Sequence, residues 1–122
     1  MTIDVALAGA GAFGIKHLDA MSQIDDVNVV SVVGRTLEPT REVAERYGID
    51  HVTTDLAESL ALSEVDAVVL ATPTQMHAEQ SIACLEAGKH VEVEIPLCDN
   101  LADGRRVAEA QQRTGLVAMV GH

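Results

Sequence analysis

Short runs of apolar residues alternate along the chain with segments in which apolar residues recur every three or four positions. The first pattern is typical of β-strands and the second of amphipathic helices. The apolar runs predict strands at Ile3–Ala8, Val27–Val33, His51–Thr54, Ala67–Ala71, His90–Glu94 and Leu116–Val120. The helical pattern predicts helices between them, at 14–22, about 39–47, 55–62, 75–87, and from Asn100 or Asp103 to Thr114. This alternation predicts an α/β fold, a doubly wound parallel sheet of six strands in the order 3-2-1-4-5-6, forming one domain over residues 1–122.

The first predicted strand runs into a loop in which Gly9, Gly11 and Gly14 have the spacing Gly-x-Gly-x-x-Gly. Between a strand and a helix, this spacing is typical of a Rossmann dinucleotide-binding domain. We predict that Gly9 permits the tight turn, that Gly11 lets a pyrophosphate approach the backbone, and that Gly14 lets the helix pack against the strand. Ala12 and Phe13 complete the loop, whose N–H groups and helix dipole supply a positive field for the phosphates. The alternative is a tight turn that binds no ligand.

The end of the second strand indicates which dinucleotide is bound. Sites for NAD usually carry Asp or Glu there, about 20 residues after the loop, to bond the ribose 2′-hydroxyl. This chain has Gly34, Arg35 and Thr36 instead. A guanidinium can bind a 2′-phosphate, which a carboxylate would repel. Arg35 and Thr36 therefore favour NADP over NAD, with use of both cofactors still open. Arg35 could otherwise be an ordinary solvated side chain.

Composition and charge narrow the function further. The net charge is −11, an acidic balance that argues against nucleic acid as a partner. No apolar run approaches the roughly 20 residues needed to cross a bilayer, and the N-terminus lacks the basic start of a signal peptide, so we expect a cytoplasmic protein without membrane contact. Cys84 and Cys98 are expected to be free thiols. No spacing of His, Cys, Asp or Glu predicts a metal site.

Two further motifs follow predicted strands at their carboxyl ends, where ligands bind in open α/β sheets. Ala71–His77 follows the fourth strand, and Glu92–Leu97 spans the end of the fifth. Together with the glycine loop and the segment Glu86–Val91, these motifs make the whole chain resemble the Gfo/Idh/MocA oxidoreductase family. The resemblance implies that this domain works with a C-terminal α/β domain carrying much of the substrate site. The present sequence contains no such second domain.

The resemblance also implies roles at the nicotinamide end of the cofactor. Three consecutive residues would border the nicotinamide ribose: Thr72, Pro73 and Thr74. Glu94 would lie against the same ribose, and Pro96 would turn the chain beneath it. His77 would point towards the nicotinamide end and is the catalytic candidate of this chain.

The chain departs from the family pattern at two positions. Thr74 stands where the family commonly has Asn, a change that keeps a polar group. Ile95 stands where the family commonly has Lys, which removes a cation that usually helps to organise substrate and cofactor. The residues of these motifs are most similar to those of one branch of the family, whose members oxidise a cyclic hemiacetal with NADP. A hemiacetal carbon gives up hydride readily, so the loss of the lysine is chemically reasonable in that branch.

Three functions stay open at this point. In the first, the chain is the NADP-binding domain of a dehydrogenase that acts on a small molecule and is expected to be a homo-oligomer when full length. In the second, it is a free-standing NADP sensor without catalysis. In the third, it is a subunit whose catalytic half belongs to another chain. The motifs at the nicotinamide end favour the dehydrogenase, because a sensor has no need of them. His17, His51 and His90 are expected to be structural or surface residues rather than catalytic ones.

Overall fold

The computed structural model of the protein describes residues 1–121. In that range, six strands alternate with five helices. The strands are β1 (Ile3–Ala8), β2 (Val27–Val33), β3 (His51–Thr53), β4 (Ala67–Leu70), β5 (His90–Glu94) and β6 (Ala118–Gly121). The helices are α1 (Ala12–Met21), α2 (Leu37–Tyr47), α3 (Leu56–Leu60), α4 (Thr74–Glu86) and α5 (Leu101–Thr114).

The strands form one parallel sheet in the order β3-β2-β1-β4-β5-β6. This confirms the predicted doubly wound α/β sheet and its strand order. From β1, the chain adds β2 and then β3 on one side of the sheet. It then crosses to the other side of β1, where it adds β4, β5 and β6 in turn. The carboxyl ends of β1 and β4 therefore lie side by side at the point where the winding reverses, which is where open α/β sheets bind ligands.

Each face of the sheet carries an apolar core, because successive side chains of a strand point to opposite sides. On one face, Leu7 of β1 lies in a cluster with Leu18 of α1 and Val43 of α2. On the other face, Leu70 of β4 lies in a cluster with Leu85 of α4 and with residues of α3 and α5. Helices α1 and α2 thus cover one face, and α3, α4 and α5 cover the other.

Capping side chains and glycines mark the ends of three helices. The side chain of Asp55 accepts a hydrogen bond from a first-turn N–H of α3, and that of Asn100 accepts one from Asp103 N–H of α5, at 2.8 Å. Gly48 ends α2 and Gly115 ends α5 with φ of 70° and 69°. Glycine adopts this left-handed conformation without steric cost.

Some boundaries differ from the predicted ones by a residue or two. Helix α1 begins at Ala12 rather than at residue 14, because the second half of the glycine loop is already helical. Strand β6 begins at Ala118 rather than at Leu116, whose carbonyl accepts a hydrogen bond from the Gln111 side chain in the turn after α5. Met119 on β6 is 57% exposed.

Among residues 1–121, no helix is both long and apolar enough to span a membrane.

Candidate cofactor-binding site

The glycine loop leaves no room for a side chain at two of its three glycines. Gly9 has φ of +105°, and a Cβ there would lie 2.2 Å from the carbonyl oxygen of Ala71. A Cβ on Gly14 would lie 1.8 Å from the carbonyl oxygen of Gly9. Gly11 is different, since apart from its two chain neighbours no described residue has an atom within 4 Å of its Cβ position. Gly9 therefore shapes the turn and Gly14 the packing of α1, while Gly11 leaves the backbone open to approach.

Helix α1 presents backbone donors beside this loop. The first N–H groups of an α-helix have no intrahelical acceptor, and within residues 1–121 no side chain caps α1 at Gly11. The first helical bond runs from Ile15 N–H to Gly11 O, at 2.9 Å. This leaves the N–H groups of Ala12, Phe13 and Gly14 at the positive end of the helix dipole. An anionic group such as a pyrophosphate fits this position.

A cleft of about 770 Å³ opens beside the loop, across the carboxyl ends of β1, β2, β3 and β4. Its volume lies in the range of about 300–1,000 Å³ that is typical of small-molecule and cofactor sites. Four turns form its walls: the glycine loop and the turns after β2, β3 and β4. Six of the residues predicted from the sequence line it: Gly9, Gly11, Arg35, Thr36, Thr72 and Pro73.

The turn after β2 carries a cation where many dinucleotide sites carry an acid. Gly34 is buried, and its N–H donates to Thr53 O at 3.0 Å. Arg35 is exposed and forms no ion pair with the residues that the structure describes. Thr36 directly precedes the 11-residue helix α2, whose N-terminus adds positive potential. The guanidinium of Arg35 and the N-terminus of α2 thus supply positive charge at this wall, although Glu38 lies in the first turn of α2 and Asp55 also lines the cleft.

Side chains of α4 fix the turn after β4. The Thr72 hydroxyl donates to Gln80 Oε1 at 2.6 Å. The ring of His77 is buried, with Nε2 2.7 Å from Thr72 O and Nδ1 2.8 Å from Pro96 O. A neutral imidazole donates to only one of these carbonyls, whereas an imidazolium donates to both. His77 ties the turns after β4 and β5 together, which favours a structural role over the catalytic role considered from the sequence.

Glu94, at the end of β5, is held by a histidine of α1. His17 Nε2 lies 2.5 Å from Glu94 Oε1, and both side chains are 26% exposed. Glu92 lies on the same face of β5, and its Oε2 is buried without a hydrogen-bond partner in the described part of the chain. Burial raises the pKa of the Glu92 carboxyl; His17 opposes this rise, and the negative charge of Glu94 adds to it.

His17, Glu92 and Glu94 also place three potential metal-ligand atoms within 4.8 Å of one another. No spacing in the sequence indicated this cluster, because its members come from α1 and β5 and meet only in the folded sheet. The short contact between His17 and Glu94 accounts for two of the three groups as a hydrogen-bonded pair. The expectation that the chain holds no metal stays a prediction.

The remaining residues with reactive side chains have structural surroundings. Cys84 and Cys98 are both free, as predicted. Burial raises the pKa of the Cys84 thiol to about 12, which makes it a poor nucleophile. The Cys98 thiol donates to Asn100 O at 3.2 Å. His51 and His90 each form a hydrogen bond with another part of the fold.

The structure separates the predicted cofactor residues into those that line the cleft and those that lie beyond its walls. The second group comprises Ala12, Phe13, Gly14, Thr74, His77, Glu94 and Pro96. Other residues that line the cleft were not predicted from the sequence, among them Thr40 of α2 and Met76 and Gln80 of α4. Met76 and Gln80 stand four apart on α4, so they share one helix face. This spacing is the signal that could have indicated them.

The family profile described as an oxidoreductase family with an NAD-binding Rossmann fold matches residues 3–122. The chain belongs to the Gfo/Idh/MocA oxidoreductase family. This membership confirms the resemblance drawn from the four motifs, and it identifies the chain as an NAD(P)-binding Rossmann domain.

Relatives of this Gfo/Idh/MocA chain include a protein from Sphingobium sp. named 4-carboxy-2-hydroxymuconate-6-semialdehyde dehydrogenase. It is 61% identical over 118 residues, which cover 97% of this chain and 38% of the relative. Among solved structures, GenD2 from gentamicin A biosynthesis in complex with NAD has a TM-score of 0.94 and 33% identity, covering 98% of this chain and 34% of that one.

A second similar structure is biliverdin reductase from Synechocystis sp. in complex with biliverdin and NADP+. Its TM-score is 0.92 at 26% identity, covering 98% of this chain and 38% of that one. This Gfo/Idh/MocA chain thus spans little more than a third of the length of the relatives it matches. The two solved structures hold NAD and NADP+ on the same fold, so the fold alone does not decide which cofactor is bound.

Proposed function

We propose that this chain is the NADP-binding domain of a dehydrogenase in the protocatechuate 4,5-cleavage of aromatic compounds. The complete enzyme would oxidise the cyclic hemiacetal of 4-carboxy-2-hydroxymuconate semialdehyde to 2-pyrone-4,6-dicarboxylate. The observation that carries this proposal is the 61% identity, over 97% of the chain, with a semialdehyde dehydrogenase. A sensor without catalysis is not favoured, because this relative is a dehydrogenase.

The turn after β2 supports NADP as the cofactor. A 2′-phosphate at this wall of the cleft would meet the exposed guanidinium of Arg35 and the N-terminus of α2 at Thr36. An NAD-type ribose would find no carboxylate at Gly34 to accept its 2′-hydroxyl. The pyrophosphate would accept hydrogen bonds from N–H groups of the glycine loop, including those of Ala12 and Phe13.

The second half of the chain would position the nicotinamide end. Three residues after β4 would border the nicotinamide ribose: Thr72, Pro73 and Thr74. Glu94, held by His17, would lie against that ribose, and Pro96 would turn the chain beneath it. When bound, the nicotinamide of NADP supplies the hydride acceptor for the oxidation. The residues of this chain bind and orient the cofactor around that point.

The hemiacetal loses a hydride from carbon and a proton from its hydroxyl, which leaves the carbonyl of the lactone. Ile95 is 52% exposed and has no group that can accept the proton. Both nitrogens of His77 already contact backbone carbonyls. We therefore place the base in the part of the longer relatives that this chain does not span, and we propose that the 122-residue chain alone binds NADP without turning over substrate.

Calorimetric titration of the chain with NADPH and NADH tests the cofactor. We expect NADPH to bind at least about tenfold more tightly, and Arg35→Ala to weaken NADPH about ten- to hundredfold while leaving NADH almost unchanged. Arg41→Ala, on α2 but outside the cleft walls, is the matched control and should change neither affinity. Equal binding of the two cofactors, or none, would contradict the proposal.

The substrate is tested separately with the complete gene product. NADPH should form when the cyclic hemiacetal and NADP are supplied, and 2-pyrone-4,6-dicarboxylate should accumulate in equal amount. Turnover of a sugar alcohol in preference to the hemiacetal would overturn the substrate assignment but not the cofactor. A cytoplasmic location and a homo-oligomeric full-length protein stay predictions.

A further inference from the structure

The end of β2 holds a steric contact that bears on cofactor choice. Gly34 is buried, and a Cβ placed on it would lie 1.7 Å from Thr40 Oγ1 and 2.8 Å from both Thr40 Cβ and Cγ2. The backbone itself does not demand glycine at this position, since Gly34 is not among the glycines with positive φ. The absence of a side chain at residue 34 is therefore imposed by Thr40.

Thr40 is fixed where it stands. It is 2% exposed, and its hydroxyl donates to Thr36 O at 2.7 Å across the first turn of α2. A β-branched side chain has few rotamers in a helix. Rotation about its Cα–Cβ bond would bring the methyl group into the space above Gly34 or break the bond to Thr36. Thr40 cannot easily yield to a new side chain on β2.

Residue 34 has a specific meaning in dinucleotide sites. In NAD-type Rossmann domains an acidic residue at the end of the second strand, about 20 residues after the glycine loop, bonds the ribose 2′-hydroxyl. Gly34 and Thr40 both line the cleft, so Thr40 Oγ1 occupies the place where such an acid would begin. The same fold binds NAD in one similar structure and NADP+ in another, which agrees with a choice made by local side chains.

We propose that Thr40 is a specificity-determining residue: its hydroxyl closes the end of β2 to a ribose-binding carboxylate and so disfavours NAD. This inference rests on the proposed function, which assigns the positive attraction of a 2′-phosphate to Arg35. Thr40 adds a separate, steric element, because a substitution at residue 34 alone cannot convert the site. The cofactor choice is then encoded by the pair Gly34 and Thr40 rather than by one residue.

Three variants test the pair, with NADH and NADPH affinities measured by calorimetry on the 122-residue chain. Gly34→Asp alone should lower the affinity for NADPH without raising the affinity for NADH, because Thr40 leaves no room for the aspartate side chain. Thr40→Ala removes the contacts of residue 34 with Oγ1 and Cγ2 and leaves only the 2.8 Å contact with Cβ, which a small shift of α2 relieves. Gly34→Asp with Thr40→Ala should therefore bind NADH about tenfold more tightly than Gly34→Asp alone, since a hydrogen bond to a charged group is worth about that factor. Gly34→Asp with Thr40→Ser keeps the hydroxyl and should behave like Gly34→Asp alone.

NADH affinity that is the same in all three variants would overturn the inference, as would tight NADH binding by Gly34→Asp alone. A second measurement covers the case in which the aspartate variants do not fold. Gly34→Ala should lower the melting temperature, and Thr40→Ala added to it should restore part of the loss, because it removes the 1.7 Å contact with Oγ1 and leaves the 2.8 Å contact with Cβ. Thr40→Ser, which keeps the hydroxyl, should restore less. An unchanged melting temperature in Gly34→Ala would show that there is no steric block.

The two proposals fail in distinguishable ways. Equal affinity of the unmodified chain for NADPH and NADH would contradict the preference for NADP. The comparison between the Thr40→Ala and Thr40→Ser backgrounds would still decide whether Thr40 closes the strand end.

Discussion

The two halves of the sheet are built differently around the same cleft. In the half formed by β1, β2 and β3, Gly9 and Gly14 leave no space for a Cβ, so the loop after β1 packs backbone against backbone. In the half formed by β4, β5 and β6, side chains do the shaping: His77 joins two turns, and His17 holds Glu94. The loop after β1 thus depends on close backbone packing, and the turns after β4 and β5 depend on side-chain hydrogen bonds.

Strands β2 and β5, one from each half, also differ in the side chains that they place on the two faces of the sheet. Strand β2 is apolar at five of its seven positions, the others being Asn28 and the buried Ser31, and helices cover both of its sides. Strand β5 alternates, with Val91 and Val93 in the core and Glu92 and Glu94 on the opposite face. An apolar core tolerates close packing but not an unpaired charge. The polar face of β5 is therefore where electrostatics, rather than volume, decides stability.

The largest expected effect tests the backbone packing of the first half. Gly14→Ala places a Cβ 1.8 Å from Gly9 O, and only a movement of α1 or of the loop can relieve that contact. We expect the free energy of unfolding to fall by about 3 kcal/mol or more. Urea denaturation followed by circular dichroism measures it.

Gly11→Ala is the matched control for this prediction. Gly11 has φ of −82°, which alanine adopts without strain, and its Cβ position is open within the described residues. The free energy of unfolding should stay within about 0.5 kcal/mol of the parent value. NADPH affinity should fall, because the new methyl group projects where the pyrophosphate approaches. Equal stability of Gly14→Ala and Gly11→Ala would contradict the assignment of helix packing to Gly14 and of an open backbone to Gly11.

A smaller effect tests the side-chain tie of the second half. His77→Ala leaves Thr72 O and Pro96 O without their imidazole partner, so the free energy of unfolding should fall by about 2 kcal/mol. Met76→Ala is the control on the same helix, because Met76 is 45% exposed; it should cost about 0.5 kcal/mol or less. Denaturation of the chain without substrate separates structure from catalysis. Full stability of His77→Ala would remove the structural role.

The same contrast explains how far the sequence alone reaches. The helix caps and the glycine loop follow from residues close together in the chain, such as Asp55 before α3 or Gly48 after α2. The strand order follows from the alternation of strands and helices along the chain. Capping residues and glycines of this kind fix the backbone conformation at their own positions, whatever the rest of the fold is. The fold and the phosphate end of the cleft were therefore predictable.

The rest depends on contacts between distant residues. His17 and Glu94 meet only because β5 lies close to α1 in the folded sheet, and His77 appears in a family motif whose local sequence gives no sign that both its nitrogens contact carbonyls. Thr40 shows the same limit at short range. Its hydroxyl closes the end of β2 because α2 packs against Gly34, a fact of packing rather than of spacing.

The smallest expected effect concerns Glu92 on the polar face of β5. Its pKa is raised above the ordinary value of 4.5, chiefly by burial. The folded state therefore binds the proton more tightly than the unfolded state, and stability falls as the pH rises through this region. Above the raised pKa, the charged carboxylate destabilises the fold; below pH 4.5 this cost is absent.

Glu92→Gln should accordingly stabilise the chain at pH 7, by less than about 1 kcal/mol because the side chain is partly solvated. The gain should shrink as the pH falls and disappear below the ordinary pKa of 4.5. Urea denaturation at a series of pH values measures it. Glu109→Gln, on the exposed side of α5, is the control and should show no such trend. A gain that does not depend on pH would mean that the amide acts through new hydrogen bonds, and the electrostatic account of the β5 face would be wrong.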